Sequence, residues 1–406
     1  MHLRFCLALF FGWALIGLLG TAPSSAQSVE ALFSTEKTDY FVGEPVFVTL
    51  AIANKTDERL WLEFQSPDIA KLLCDDFTIE VPGAAAADEP WGCGFAGSCG
   101  RGLKELPPGK STTLRQLVNQ RFRLRKGAYS LRTQTSIVVR KQNLFDSPKV
   151  EQLDVSDSLQ INVQHGNEAE LESAFRPIVA EVSSPDLTRR AEAAAAITQL
   201  APAFLEDTLI ELAKTNFARS AVVALRRADT PKTRAALAQI AVGSTDFTLR
   251  IDAINNLGRT NDAAYLPTVF QLMDSENKEI QNAAAESAGT LGGVAAVQRL
   301  SAFMSDTDSE RRIAGVNGLG RSRAREAVPI LIGLLLDSDS NVRQAAVNSL
   351  WLLTHHAALE ANGWADISTA ESAASVHQRW VRWWGSHGAT CEIHGMKDCS
   401  SPLSLD

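Results

Sequence analysis

The residues best suited to chemistry sit in two small groups. Cys93 and Cys99 flank the Gly-rich stretch GFAGS, and Cys391 and Cys399 enclose EIHGMKD. Two chemistries fit. Close thiols form small disulfide loops in an oxidising compartment. Alternatively, Cys391, His394 and Cys399 offer soft or borderline metal ligands. Zinc sites more often use tighter Cys-x2-Cys spacing and a fourth ligand, both missing here, so disulfides are the preferred expectation. Cys74 is left over, as a buried thiol or an alternative partner. A second metal candidate is the scatter of His355, His356, His377, His387 and His394. Histidines in a polar tail are more often solvated, and no metal or other cofactor is expected.

Basic chemistry concentrates in one strand-like run. Residues 27–100 carry 4 Lys/Arg against 13 Asp/Glu, whereas residues 101–149 carry 12 against 2. Within the second stretch, Arg121, Arg123 and Arg125 alternate with Phe122 and Leu124, which would place three guanidinium groups on one face of a strand. That face would bind an anion, such as an acidic partner or a lipid headgroup, or simply pair with acidic neighbours across the sheet. The near balance over residues 27–165, 16 basic against 18 acidic, favours internal pairing.

A third constellation repeats. Asp246, Asn277, Asp308 and Asp339 fall 31 residues apart, as do Arg250, Gln281, Arg312 and Arg343. Asp or Asn suits a helix N-cap, where its side-chain oxygen accepts from free first-turn amides. Where Asn277 replaces Asp, Gln281 replaces Arg, which predicts that the two side chains touch. Gly-rich phosphate-loop, nucleophile-elbow and paired-carboxylate motifs are lacking, and the chain is expected to be no enzyme. A formal charge of −8 over 406 residues argues against a dedicated nucleic-acid binder.

Several elements must position these residues. Met1–Arg4, an apolar run to Gly20 and the small residues Ser24 and Ala26 form the pattern of a cleaved secretory leader, residues 1–26. No other stretch is apolar enough to span a membrane, so a periplasmic or secreted protein is expected. From 27 to 165 the apolar period is 2, as in Val46–Ile52, Arg59–Phe64, Phe77–Val81, Thr113–Val118, Ala128–Val139 and Leu159–Val163. Turn signals separate these runs and residues 82–103 read as a loop, predicting a β-sandwich. Tyr40–Leu50 with Ala53–Thr56, then Leu106–Lys110 and Lys126–Arg132, resembles strands of bacterial immunoglobulin-like modules.

From 166 to 358 the pattern is helical, and the 31-residue period extends to apolar positions. Ala253, Ala284, Gly315 and Ala346 recur, as do Leu257, Ala288, Leu319 and Leu350. Gly258, Gly289 and Gly320 follow, expected as left-handed residues closing each first helix, with Trp351 in that place last. Pro267 and Pro329 suit the first turn of each second helix. Such paired helices make an α-solenoid, about six units long. The run Asp339–Leu350 resembles HEAT repeats, of the short-period subclass first known from phycobilisome lyases. HEAT-like iron hydroxylases carry His-Glu ligand pairs in their repeats; this chain has no such dipeptide. Bilin lyases share the repeat, but a leader and a sandwich argue against that activity.

Residues 359–406 form a tail with Trp380, Trp383 and Trp384 on one helical stripe. The expected role of 370–385 is a cap on the last repeat; an exposed aromatic patch is the alternative. The architecture implies an exported, non-catalytic scaffold with a protein partner at the repeat surface. The sandwich acting as the ligand-binding or inhibitor-like module is the second reading.

Overall fold

A computed structural model describes residues 24–25, 28–65, 77–87, 103–145, 149–355 and 367–393. Residues 1–23 of the expected leader, Cys74, Cys93, Cys99, His356, His394 and Cys399 lie outside these residues. The chain divides into two units, 1–167 and 168–406.

Alternating burial builds the first unit. In the strand Phe47–Asn54, Val48, Leu50 and Ile52 are fully buried while Thr49, Ala51 and Ala53 are half-exposed. We number the longer strands β1 (Val29–Thr35), β2 (Asp39–Phe41), β3 (Phe47–Asn54), β4 (Leu60–Gln65), β5 (Thr78–Glu80), β6 (Leu103–Leu106), β7 (Ser111–Leu117), β8 (Gly127–Arg140) and β9 (Lys149–Gln164). One sheet has the order β1–β3–β7, with the short segment Ser24–Ser25 beside β1. The other runs β2–β9–β8–β4–β6, with β5 also on β8. All pairings are antiparallel except β2 with β9. Val29, Phe33, Leu50 and Ile52 of the first sheet share one core with Leu62, Leu131, Ile137 and Val155 of the second. The β9 strand is far longer than the Leu159–Val163 run, because Leu153 and Val155 keep the inward period while Asp and Ser residues between them face outward.

Two buried polar residues tie this unit together. Asn54 donates to the carbonyls of Glu58, Leu106 and Pro107 and accepts from the Thr56 amide and hydroxyl. Arg140 donates from Nε and Nη2 to one oxygen of Glu63, at 2.9 and 2.7 Å, with both side chains buried.

The described residues of the second unit form helices joined by short turns. Helix α1 (Glu168–Glu181) precedes six pairs: α2 (Leu187–Leu200) and α3 (Glu206–Leu212), α4 (Ala218–Ala228) and α5 (Pro231–Gly243), α6 (Phe247–Gly258) and α7 (Leu266–Leu272). There follow α8 (Lys278–Leu291) and α9 (Gly293–Ser301), α10 (Ser309–Arg321) and α11 (Ala327–Gly333), and α12 (Ser340–Thr354) and α13 (Ala370–His387). The first helices α6, α8, α10 and α12 stack in sequence. Ala253, Ile254, Leu257, Ala284, Ala288, Leu319 and Leu350 are fully buried along that stack.

The recurring glycines have a different role from the expected one. Gly258, Gly289 and Gly320 lie within the last turns of α6, α8 and α10, not beyond them. A Cβ on Gly258 would sit 2.8 Å from Ser287 Cα, one on Gly320 3.0 Å from Ser349 Cα, and one on Gly289 would overlap the Gly318 carbonyl. Their smallness lets neighbouring main chains touch. The Ser287 and Ser349 hydroxyls then donate across the same seams to the carbonyls of Ile254 and Val316, at 2.9 and 3.1 Å. Trp351 fills the glycine place in α12. The left-handed residues come later, at Asn261, Gly292 and Arg323, also 31 apart.

Candidate functional site

Asp246, Asn277, Asp308 and Asp339 each sit at an N-cap in extended backbone. Asp246 accepts from the Leu249 amide, Asp308 from Glu310 and Asp339 from Asn341, while Asn277 accepts from Glu279 and Ile280. Asp186 does the same one pair earlier, for Thr188 and Arg189.

The arginine four residues on does not reach back to the cap carboxylate, which corrects the expected contact. Arg343 donates to the carbonyls of Asp337, Ser338, Ile367 and Ser368. Arg250 donates to Ala241, and Gln281 to Met273 and Ser275. Arg312 donates to Asp306 and Thr307 carbonyls, then forks onto the Asp337 carboxylate of the next repeat at 2.9 and 2.7 Å. The reason is donor supply. The linker before each cap leaves buried carbonyls without helix partners, and a planar group with several N–H donors satisfies them together. Arg and Gln both meet that need, so they interchange.

Sequence reading missed the residue two before each cap. Ser184, Ser244, Ser275, Asp306 and Asp337 accept from the amides of Asp186, Asp246, Asn277, Asp308 and Asp339. The last four are 31 residues apart, a signal the period already carried.

Cap carboxylates also link repeats. Lys278 Nζ lies 3.0 Å from Asp308 and 2.6 Å from Glu310. Lys278 and the Glu310 amide hold Asp308 below the ordinary carboxylate range, and the Asn341 amide with the Ser309 hydroxyl does so for Asp339. Asp337 raises Arg312 above its already high value.

Arg121, Arg123 and Arg125 do not share one strand. Only Phe122–Arg123 is strand, pairing with Ala85–Ala86. Phe122 and Leu124 still turn toward the core, Arg123 and Arg125 are exposed, and Arg121 is half-buried directly after the 3-10 turn Val118–Gln120.

In the tail, α13 buries Ala373, Val376 and Trp380 and packs on α11 and Leu334–Leu336. Trp383 meets Trp380 edge-on at 5.4 Å and stacks on His387. Arg325 donates to the Gly388 and Cys391 carbonyls and lies over the Trp384 ring. Cys391 is a free thiol pushed up by burial, and its candidate partner Cys399 is outside the described residues, as are Cys93 and Cys99. Among the described residues, no three His, Cys, Asp or Glu side chains gather as metal ligands. No helix among them is long and apolar enough to cross a membrane.

No curated protein matches. An archaeal HEAT-like repeat protein from Thermococcus onnurineus NA1 is similar at 15% identity over 45% of this chain and 88% of its own, with a TM-score of 0.32. The complex of CpcE and CpcF of phycocyanin lyase from Nostoc sp. PCC7120 shares 15% identity over 52% and 82%, with a TM-score of 0.27. Human deoxyhypusine hydroxylase shares 16% over 52% and 85%, with a TM-score of 0.21. The family model for HEAT repeats matches residues 234–320 and 302–361, and this part of the chain carries HEAT repeats.

Proposed function

We propose that the protein is exported and works as a non-catalytic, protein-binding scaffold through its repeat surface. The carrying observation is how the repeats use their polar groups. Asp246, Asp308, Asp339, Arg250, Arg312 and Arg343 are all spent on caps, linker carbonyls and seams between repeats. What remains outward is an extended surface, the asset that solenoids bring to recognition. Export rests on the leader pattern of residues 1–26.

The first unit supports an immunoglobulin-like reading. Its strand order places β1, β3 and β7 opposite β9, β8 and β4, the arrangement of that fold's two sheets. At the start of β8, the Tyr129 hydroxyl donates to the Arg125 carbonyl and accepts from its amide, as in a tyrosine corner. The second functional reading, with this unit as the binding module, is favoured by exposed Leu144, Phe145 and Val150 near the β8–β9 turn.

Photo-cross-linkers placed one at a time in the intact protein separate the two. Adducts from Asn282 and Gln344 in cell-envelope extract support the scaffold reading. Adducts only from Leu144 and Gln152 overturn it. Mass measurement of the envelope protein, starting at Gln27, checks export.

A further inference from the structure

The first sheet ends on a strand whose outer edge the fold leaves unguarded. At the two ends of β7, the Asn54 amide donates to the Lys110 carbonyl and the Val118 amide to the Val46 carbonyl. Both bonds lie on the register that pairs Phe47 with Leu117 and Ala53 with Ser111. Antiparallel ladders alternate, so Thr112, Leu114 and Gln116 turn their main-chain groups toward β3. Ser111, Thr113, Arg115 and Leu117 turn theirs away from it, and among the described residues β7 pairs with β3 alone.

Natural edges are kept from pairing by shortness, by Lys or Pro, or by a bulge. The second sheet follows that rule. Its outer strands β2 and β6 have three and four residues, and β6 carries Lys104 and Glu105, both exposed. In contrast, β7 has seven residues in unbroken register, without Lys or Pro. Its one charge does not guard the edge. The Arg115 guanidinium lies 4.2 Å from the centre of the Phe47 ring and 2.7 Å from Glu36, back across its own sheet.

This edge is complementary to itself. Two β7 strands, antiparallel about a two-fold axis at Leu114, would join all seven residues in one register. The outward groups of Ser111 would face those of Leu117, and those of Thr113 would face Arg115. No like charges are opposed in that register, because Arg115 meets Thr113. On the core-facing side, two needs that the single chain leaves unmet would be answered together. Leu114 packs on the core but stays half-exposed, and it would lie against Leu114 of the second copy. Gln116 Oε1 is buried without a hydrogen-bond partner. Thr112 of the second copy would stand opposite it, in a non-hydrogen-bonded pair, where side chains approach most closely. A threonine hydroxyl can donate to that oxygen.

We propose that two copies of this protein join edge to edge through β7, continuing the first sheet across a two-fold axis. Symmetric pairing uses up the edge on both copies, so the assembly closes at two. The contact lies in the first unit and is independent of the scaffold reading, which concerns the repeats of the second.

Sedimentation equilibrium of the full-length protein, from micromolar concentrations upward, should show a monomer–dimer equilibrium. Thr113→Pro removes an amide that points outward and so leaves the β3 ladder whole. It should keep the native circular dichroism and raise the dimer dissociation constant at least about tenfold. Two further variants read the register. Thr113→Glu, set opposite Arg115 of the second copy, should tighten the dimer about fivefold, and Thr113→Lys should loosen it about as much. A native protein that stays monomeric overturns the proposal, as does a dimer that Thr113→Pro leaves intact or that Glu and Lys alter alike. A photo-cross-linker at Ser111 detects any other occupant, and a monomer whose β7 is captured by a different protein also overturns it.

Discussion

Arg312 gives two nitrogens to Asp337 and a third to the carbonyls of Asp306 and Thr307, all nearly out of reach of solvent. Removing the guanidinium leaves a buried carboxylate with only the Asp339 amide as donor, and takes the arginine donor from two linker carbonyls. Arg312→Ala should therefore cost about 3–5 kcal/mol, the range for breaking a buried pair from one side. Asp337→Asn should cost less, because an amide oxygen still accepts from the Asp339 amide. Urea titration of both variants checks the order. The caps make a pH prediction. Asp308 and Asp339 are held below the ordinary carboxylate range, so the unfolded chain takes up those protons first. Their stabilisation is complete above the unfolded value near 3.9 and is lost as pH falls through the lower native value. The melting-temperature gap between the native protein and Asp308→Asn should be widest near neutrality and close in acid; a constant gap would show that the ionised cap is not its source. At this scale the sequence was half legible. The 31-residue period located the caps, but covariation of Asn277 with Gln281 marked a shared position in the repeat and not a contact. Asn277 serves the first amides of its own helix, while Gln281 serves the carbonyls of the linker before it.

Elements are shaped by what the seams between helices will admit. Gly289 faces the Gly318 main chain so closely that a methyl group there must part α8 from α10. Gly289→Ala should cost about 2–3 kcal/mol by overpacking, despite alanine's better helix propensity. Arg323 offers the opposite case. It holds φ at 51° in the place where the preceding repeat has Gly292, a conformation that costs a side-chain-bearing residue about 1–2 kcal/mol. Arg323→Gly should raise stability by up to about 1 kcal/mol once the freer unfolded chain is counted. Thermal melts of these two variants should move in opposite directions. A glycine repeating behind a helix reads equally well as a left-handed stop or as a close-contact residue, and one-dimensional spacing does not separate them. Trp351 was the available clue, because no left-handed stop would accept it, whereas the last first-helix has no following seam to keep narrow. The run from Arg121 to Arg125 failed for a related reason: alternation of apolar and basic residues extends past the two strand residues Phe122–Arg123, so it marks a buried side without requiring a strand.

The whole chain joins a unit dominated by long-range strand pairing to one whose repeats contact mainly their neighbours. Period 2 followed by period 31 made that division plain in the sequence, while the parallel β2–β9 pairing, only three residues on each side, left no trace there. Stability in a solenoid passes from repeat to repeat, and its end must be covered. Here α13 covers it, through Trp380, which is 1% exposed, and Arg325, which ties α11 to the carbonyls at the end of α13. Trp380→Ala removes the largest fully buried side chain of that end and should cost about 3–5 kcal/mol. The loss should not spread evenly. Trp351, Trp380, Trp383 and Trp384 all report on the last repeats, so the tryptophan fluorescence transition should drop by several degrees. The β unit contains Trp61 and Trp91 and none of the seams through which the loss would travel, so amide hydrogen exchange in β8 and β9 should stay at its native rate. Equal loosening of β8 would mean that the two units unfold as one, and that α13 stabilises the whole molecule and not just the end of the solenoid.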